Sequence, residues 1–192
     1  EGQASDYFFS LTYTNKKQHR VRMRPLGDMW GSGLFKNKAC DYCTDVLTEL
    51  GDISLGDAWL PEYNKDGMGN SVIVTRSALA DQIIQQGIAS GNLEMEEVPI
   101  EAVIRSQSGG LNHKQNALMF RRWMMSTYSD LKVPHYRTRV EKEVAASDMI
   151  VQILRERVRS KSLTYWAERP NLKAFNNRMR SSRRLLADAT AA

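Results

Sequence analysis

SVIVTRSALADQIIQQGIASG, residues 71–91, carries the two periodicities that decide the fold class. Ser71–Arg76 is a short β-branched apolar run of the kind that forms a buried strand. Ser77 follows where a helix N-cap belongs, and Leu79, Ile83, Ile84 and Ile88 then recur at helical spacing. A strand running into an amphipathic helix is therefore expected. Downstream, NLEMEEV (residues 92–98) alternates as a short strand does, and strand, helix and strand together suggest a βαβ-like unit. Upstream, DISLGDAW (residues 52–59) predicts a further strand ending at Gly56-Asp57, and LPEYNKDGMGN (residues 60–70) a long loop.

Further out, YFFSLTYT (7–14) and HRVRMRP (19–25) alternate around a polar turn at 15–18 and predict a β-hairpin. Its second strand puts His19, Val21 and Met23 on one face and Arg20, Arg22 and Arg24 on the other. PLGDMWGSG (25–33) is a glycine-rich loop around Trp30. CDYCTDVLTEL (40–50) fits a short helix, with Cys43, Val46, Leu47 and Leu50 at helical spacing and Gly51 as its stop. From Pro99 the chain is helical: PIEAVIRSQ, a break at SGGLNHKQ, a helix over NALMFRRWMMSTYSDL, another from Val140 to Ser162, and a basic helical tail interrupted at Pro170. The expected fold is α+β: a small mixed sheet with an N-terminal hairpin, packed by helices, then a helical C-terminal arm. The expected division is a domain over 1–135 and a basic helical extension over 136–192.

The 192 residues suffice for one core, or a core with an appendage. No apolar run reaches the roughly 18 residues of a membrane helix. The opening EGQASDYFFS lacks a basic n-region and an initiator Met, so the chain reads as a fragment or a processed form of a longer protein. Two cysteines give no disulfide framework, which points to a reducing, cytoplasmic setting. Residues 137–184 hold 13 Lys/Arg against 5 Asp/Glu, a net of +8, so the remainder of the +5 chain is about −3. These basic helices are open to a weak contact with an anionic surface or a protein partner, or to being an ordinary solvated face. With no recognition motif, nucleic acid is not the expected partner.

Cys40 and Cys43 form a Cys-x-x-Cys pair. Spacing alone leaves open metal or cluster binding, dithiol redox chemistry and inert half-buried thiols. His19, His113 and His135 show no paired ligand spacing. Gly56-Asp57 at a strand end offers a close backbone approach and a carboxylate, or an ordinary turn. Arg22, Arg24 and Arg76 are phosphate candidates or solvated arginines. No dinucleotide or P-loop fingerprint is present.

Taken together, CDYCTDVLTELGDISLGDAW, GNSVIVTR and SQSGGLNHK resemble the C-terminal domain of the coenzyme F420 hydrogenase/dehydrogenase beta-subunit family. Cys40, Cys43 and Asp45 match a Cys-x-x-Cys-x-Asp element. Asp52, Ile53, Ser54, Gly56 and Asp57 match an Ala-Asp-Ile-Ser-x-Gly-Asp element, with Gly51 in place of Ala. Ser71–Arg76 matches the strand that follows. The resemblance covers Trp30 to Lys114.

The resemblance implies a flavin and iron–sulfur oxidoreductase that passes electrons between clusters, FAD and a partner such as a deazaflavin coenzyme. A related plant branch of the family reduces a chlorophyll intermediate, and many bacterial members resemble products of surface-polysaccharide gene neighbourhoods. It implies Cys40 and Cys43 as two of the four ligands of a 4Fe-4S cluster, the others coming from an upstream half of the same polypeptide. It implies flavin contacts around Ser54, Gly56, Asp57, Ser71, Thr75, Arg76, Asn112 and Lys114. Catalytic residues are not identified. The cofactors are expected in the full-length parent, and this fragment by itself is not expected to hold a complete cluster. The alternative is a cofactor-free interaction module docking through its basic tail.

Overall fold

The computed structural model describes residues 2–22, 32–129, 132–135 and 142–191. Met23, Arg24, the 25–31 part of the glycine-rich loop with Trp30, and Val140 lie outside the described residues. The elements are β1 (Phe8–Thr12), β2 (Gln18–Arg22), a 3-10 turn (Lys38–Asp41), β3 (Ile53–Asp57), β4 (Ser71–Thr75), α1 (Ala78–Ala89), α2 (Ile100–Ser106), α3 (Ser108–Leu111), a π-helical turn (Asn112–Asn116), α4 (Leu118–Tyr128), α5 (Ala146–Glu168) and α6 (Leu172–Ala191). The α+β class is as expected. β1 pairs with β2 and β3 with β4, as two separate two-stranded sheets. The chain forms two compact units, one of Glu1–Phe9 with Asp45–Leu111 and one of Ser10–Thr44 with Asn112–Ala192.

In the first unit β3 and β4 are antiparallel, with Ile53 opposite Thr75, Leu55 opposite Ile73 and Asp57 opposite Ser71. Residues opposite one another share a face, and alternate residues change faces. Ser54, Gly56, Val72 and Val74 therefore make one face, and Ser54 and Val72 on it are buried. Ser77 caps α1, its Oγ accepting from Ala80 N at 3.3 Å. Gly91 ends that helix region at φ +73°, a left-handed conformation that glycine adopts without penalty.

Two expectations fail in this unit. Residues 92–98 form no strand, so there is no βαβ unit. Leu93 instead packs so closely on Gly87 of α1 that a Cβ there would lie 2.6 Å from Leu93 Cδ1, and Glu96 takes the Tyr63 hydroxyl as donor. The expected helix forms as α1, with Leu79, Ile83 and Ile88 exposed and Ile84 half-buried. The helix expected over 40–50 does not form. Asn37 caps only a short 3-10 turn, its Oδ1 accepting from Ala39 N at 2.9 Å. Beyond Cys43 the β-branched Thr44, Val46 and Thr48 disfavour helix, Asp45 Oδ1 accepts from Glu49 N at 3.2 Å, and Thr48 turns to φ +50°.

The second unit is built on α5 and α6, joined through Pro170. Glu168 meets Arg178 and Lys161 meets Ser182, the pairing order of antiparallel helices. Val151, Val158, Phe175, Met179 and Leu186 form their core. The loop after Ser32 is pinned to this pair. Phe35 stacks on Phe175 at 5.2 Å, and its N–H donates to the buried Ser162 Oγ at 3.0 Å. The break expected at SGGLNHKQ is a helical run instead, α3 leading into the π turn. The buried stripe of α5 also departs from its apolar pattern. Ile150 is exposed, while Gln152, Arg159 and Ser162 are buried beside Val151 and Val158. Among the described residues no helix is long and apolar enough to cross a membrane.

Candidate functional site

The two cysteines belong to the second unit. Cys40 lies within the 3-10 turn and is exposed; Cys43 lies just past it and is half-buried. Four anchors hold this loop. Asp41 is 7% exposed and pairs with both Arg159 and Lys36, the latter at 3.3 Å. Arg121 of α4 is also buried; its Nε donates to the Asp41 carbonyl at 3.0 Å and its Nη1 to Gln152 Oε1 at 3.1 Å. Gln115 of the π turn donates to the Thr44 carbonyl at 3.1 Å, and Lys114 Nζ to Cys43 Sγ at 3.7 Å. A short sequence with little secondary structure of its own is thus fixed by side chains from α4, α5 and the π turn.

The loop lies in a strongly cationic setting. Lys36, Lys114, Arg121, Arg155 and Arg159 surround it, against the carboxylates Asp41 and Glu156 that pair with Arg159. Burial, followed by the Arg121 charge, lowers the Lys36 amine to about 8, whereas the negative charge of Cys40 acts to raise it. Burial likewise lowers Arg159, again opposed by Cys40. His113 sits between two cations, with Nδ1 2.8 Å from Arg155 Nη1 and Nε2 2.9 Å from Lys36 Nζ. Burial and then the charges of Arg121, Lys36, Arg155 and Lys114 push its imidazole down to about 2.

The expected flavin residues divide between the units. In the first, Asp57, Ser71 and Thr75 share the outer face of the β3–β4 hairpin with Leu55 and Ile73, and Leu55, Asp57 and Ser71 are exposed. Ser54 and Gly56 are on the opposite face. Arg76 is engaged with its own backbone surroundings: it donates to the Leu47 carbonyl at 2.8 Å, the Gly51 carbonyl at 3.2 Å, the Thr48 carbonyl at 3.4 Å and Ser54 Oγ at 3.2 Å. That network holds the 47–51 loop and Thr48 in its left-handed conformation. Gln107 donates to the Asp57 carbonyl at 2.7 Å. In the second unit Asn112 accepts from Asn116, and Lys114 lies at Cys43.

Sequence reasoning missed Lys36, Asp41, Arg121, His113, Arg155 and Arg159 as a cluster. One signal was available. Gln152 and Arg159 fall on the helical stripe that Val151 and Val158 occupy, and a polar residue on a core stripe demands a buried partner. The partner, Asp41, sits between the two cysteines in C-D-Y-C.

The family of the coenzyme F420 hydrogenase/dehydrogenase beta subunit, in its C-terminal part, matches residues 6–101. The match includes both cysteines and β3 through α1, and excludes Asn112, Lys114 and α4 to α6. The coenzyme F420 hydrogenase subunit beta of Methanothermobacter thermautotrophicus (strain Delta H) is 31% identical over 86 residues, which is 45% of this chain and 27% of that protein. The chain thus spans about a quarter of the length of this curated relative. No solved structure matches the chain.

Proposed function

The chain belongs to the coenzyme F420 hydrogenase/dehydrogenase beta-subunit family, and from that premise we propose that it is part of a flavin-dependent, iron–sulfur electron-transfer oxidoreductase. The observation that carries this reading is the pair of thiols on one loop, anchored at Asp41 and Thr44 and surrounded by five cations. Among the described residues no group of three or more His, Cys, Asp or Glu could hold a metal ion. Two soft donors fit half the ligand set of a 4Fe-4S cluster and fall short of a structural zinc site. In this reading the remaining ligands come from other parts of the parent protein.

When bound, the cluster and flavin supply one-electron and hydride transfer. The chain's own residues do the positioning. Arg121 and Gln115 fix the loop that carries both thiols. Lys114 donates to Cys43 Sγ, and Lys36 and Arg159 place positive charge near Cys40. Asp57, Ser71 and Thr75, with the apolar Leu55 and Ile73, offer a face suited to a flat ring with a polar edge. The buried Ser54 accepts from Arg76, whose other donors brace the 47–51 loop beside that hairpin. The electron partner is a redox protein or a deazaflavin coenzyme.

The reading is tested on the full-length parent purified without oxygen. Iron, acid-labile sulfide and flavin are expected together, and Cys40→Ser and Cys43→Ser should each lose iron while retaining flavin. Stoichiometric zinc, or unchanged iron in both variants, refutes it.

A further inference from the structure

A groove of about 670 Å³ runs along the seam of α5 and α6; apart from Ser32, its lining lies outside the residues that match the family. Arg155 enters it from α5, and Arg180, Arg183 and Arg184 enter it from α6. Asn176 and Thr190 add polar groups, and among the described residues no Asp or Glu side chain lines it. Asn176, Arg180, Arg183, Ala187 and Thr190 recur every three or four residues, so they form one stripe of α6. That stripe borders the buried one of Phe175, Met179, Ser182 and Leu186.

This arrangement opposes helix stability. Arg180 faces Arg183 and Arg184 at i+3 and i+4, where like charges repel. Arg178 shows the ordinary solution on the same helix: it bonds Glu168 at 2.7 Å and lies 3.7 Å over the Tyr165 ring. Arg180 donates to Asn177 Oδ1 at 3.0 Å, and Arg184 Nε lies 3.9 Å from Asp188 Oδ2. Neither contact saturates a guanidinium with five donors. Arg155 is also fixed in direction, since His113 Nδ1 accepts from its Nη1 at 2.8 Å. A guanidinium oriented before the ligand arrives loses less freedom on binding.

We propose that this groove binds a phosphorylated small molecule, with the arginines on its phosphate oxygens and Leu186 and Ala187 against its organic part. Guanidinium groups match phosphate oxygens in pairs. The volume falls within the range of small-ligand sites. A bilayer would meet basic residues spread over an outer face, whereas these four line one groove. The groove shares Arg155 with the cationic setting of the thiol loop, while Arg180, Arg183 and Arg184 belong to α6 alone, so the proposal stands whether or not that loop holds a cluster.

The test is calorimetric titration of the full-length protein with inorganic pyrophosphate, beside co-sedimentation with phosphatidylserine-containing vesicles. Pyrophosphate should saturate a single site. The double variant Arg180→Gln/Arg184→Gln, with helicity checked by circular dichroism, should weaken it by at least about tenfold, because two charge-assisted contacts are lost. Arg157→Gln, on the exposed side of α5, should leave it unchanged. Absence of pyrophosphate binding overturns the proposal. So does equal weakening by Arg157→Gln, which would mean diffuse charge attraction, and so does vesicle binding that pyrophosphate does not displace, which would make a lipid surface the ligand.

Discussion

His113 should make the fold acid-sensitive well above the range where carboxylates protonate. Its two ring nitrogens face Arg155 at 2.8 Å and Lys36 at 2.9 Å. A neutral imidazole has one acceptor nitrogen. With Nδ1 accepting from Arg155, Nε2–H points at Lys36, whose amine is itself lowered to about 8. A proton added to His113 would place an imidazolium among these cations. The folded-state value is therefore down to about 2, against 6.5 for an unperturbed histidine. The unfolded chain binds more protons between those values, so stability is fully present above about 6.5 and falls as the pH drops toward 2. At about pH 5 the unfolded histidine is about 1.5 units below its midpoint, and at about 1.4 kcal/mol per unit the loss is about 2 kcal/mol.

The perturbation is His113→Gln, which keeps an acceptor for Arg155 and has no proton to gain. Urea midpoints of the 192-residue chain, followed by circular dichroism at about pH 7.5 and about pH 5, give the comparison. The wild type should lose about 2 kcal/mol more than the variant across that interval. The His113 ring signals should also keep neutral shifts down to about pH 4. A His113 titration near its ordinary value, or the same pH slope in both proteins, would refute the reasoning.

Two other perturbations probe the scaffold. Asp41→Ala should cost about 3–5 kcal/mol in urea unfolding, because Arg159 is then left buried without a carboxylate on the loop; adding Arg159→Met should recover most of the loss. Arg76→Ala removes the donor to the Leu47, Thr48 and Gly51 carbonyls; it should cost about 1–2 kcal/mol and speed proteolytic cleavage between Leu47 and Gly51, with unchanged cleavage counting against the bracing role.

Local pattern was sufficient for the elements whose stability is local. The Ser77 cap, the β3 and β4 runs, Pro99 ahead of α2 and the interruption at Pro170 were all legible, because capping, β-branching and proline act within a few residues. The motif around Cys40, Cys43 and Asp52–Asp57 was also legible, since a specific combination of residue types survives in linear order. Residues 92–98 show where pattern fails. Alternation makes a strand possible, but a strand needs an edge to pair with, and Leu93 gains more by packing on Gly87. Residues 40–50 fail for a related reason: apolar spacing suggested a helix, while Asn37, Asp45 and Thr48 bind the backbone in turns.

Linear order was enough for the α+β class, the family and the thiol pair. Tertiary packing fixed what surrounds that pair. Asp41 meets Arg159 across more than a hundred residues, and His113 meets Arg155 and Lys36 from separate segments. Those groups look like solvated charges in linear order, since a charge run carries no mark of its partner. Only helix packing fixes which arginines are buried against a carboxylate and which line a groove. The energy of a charge depends on its distance to others and on the water removed around it, and neither is a property of neighbouring residues in the chain.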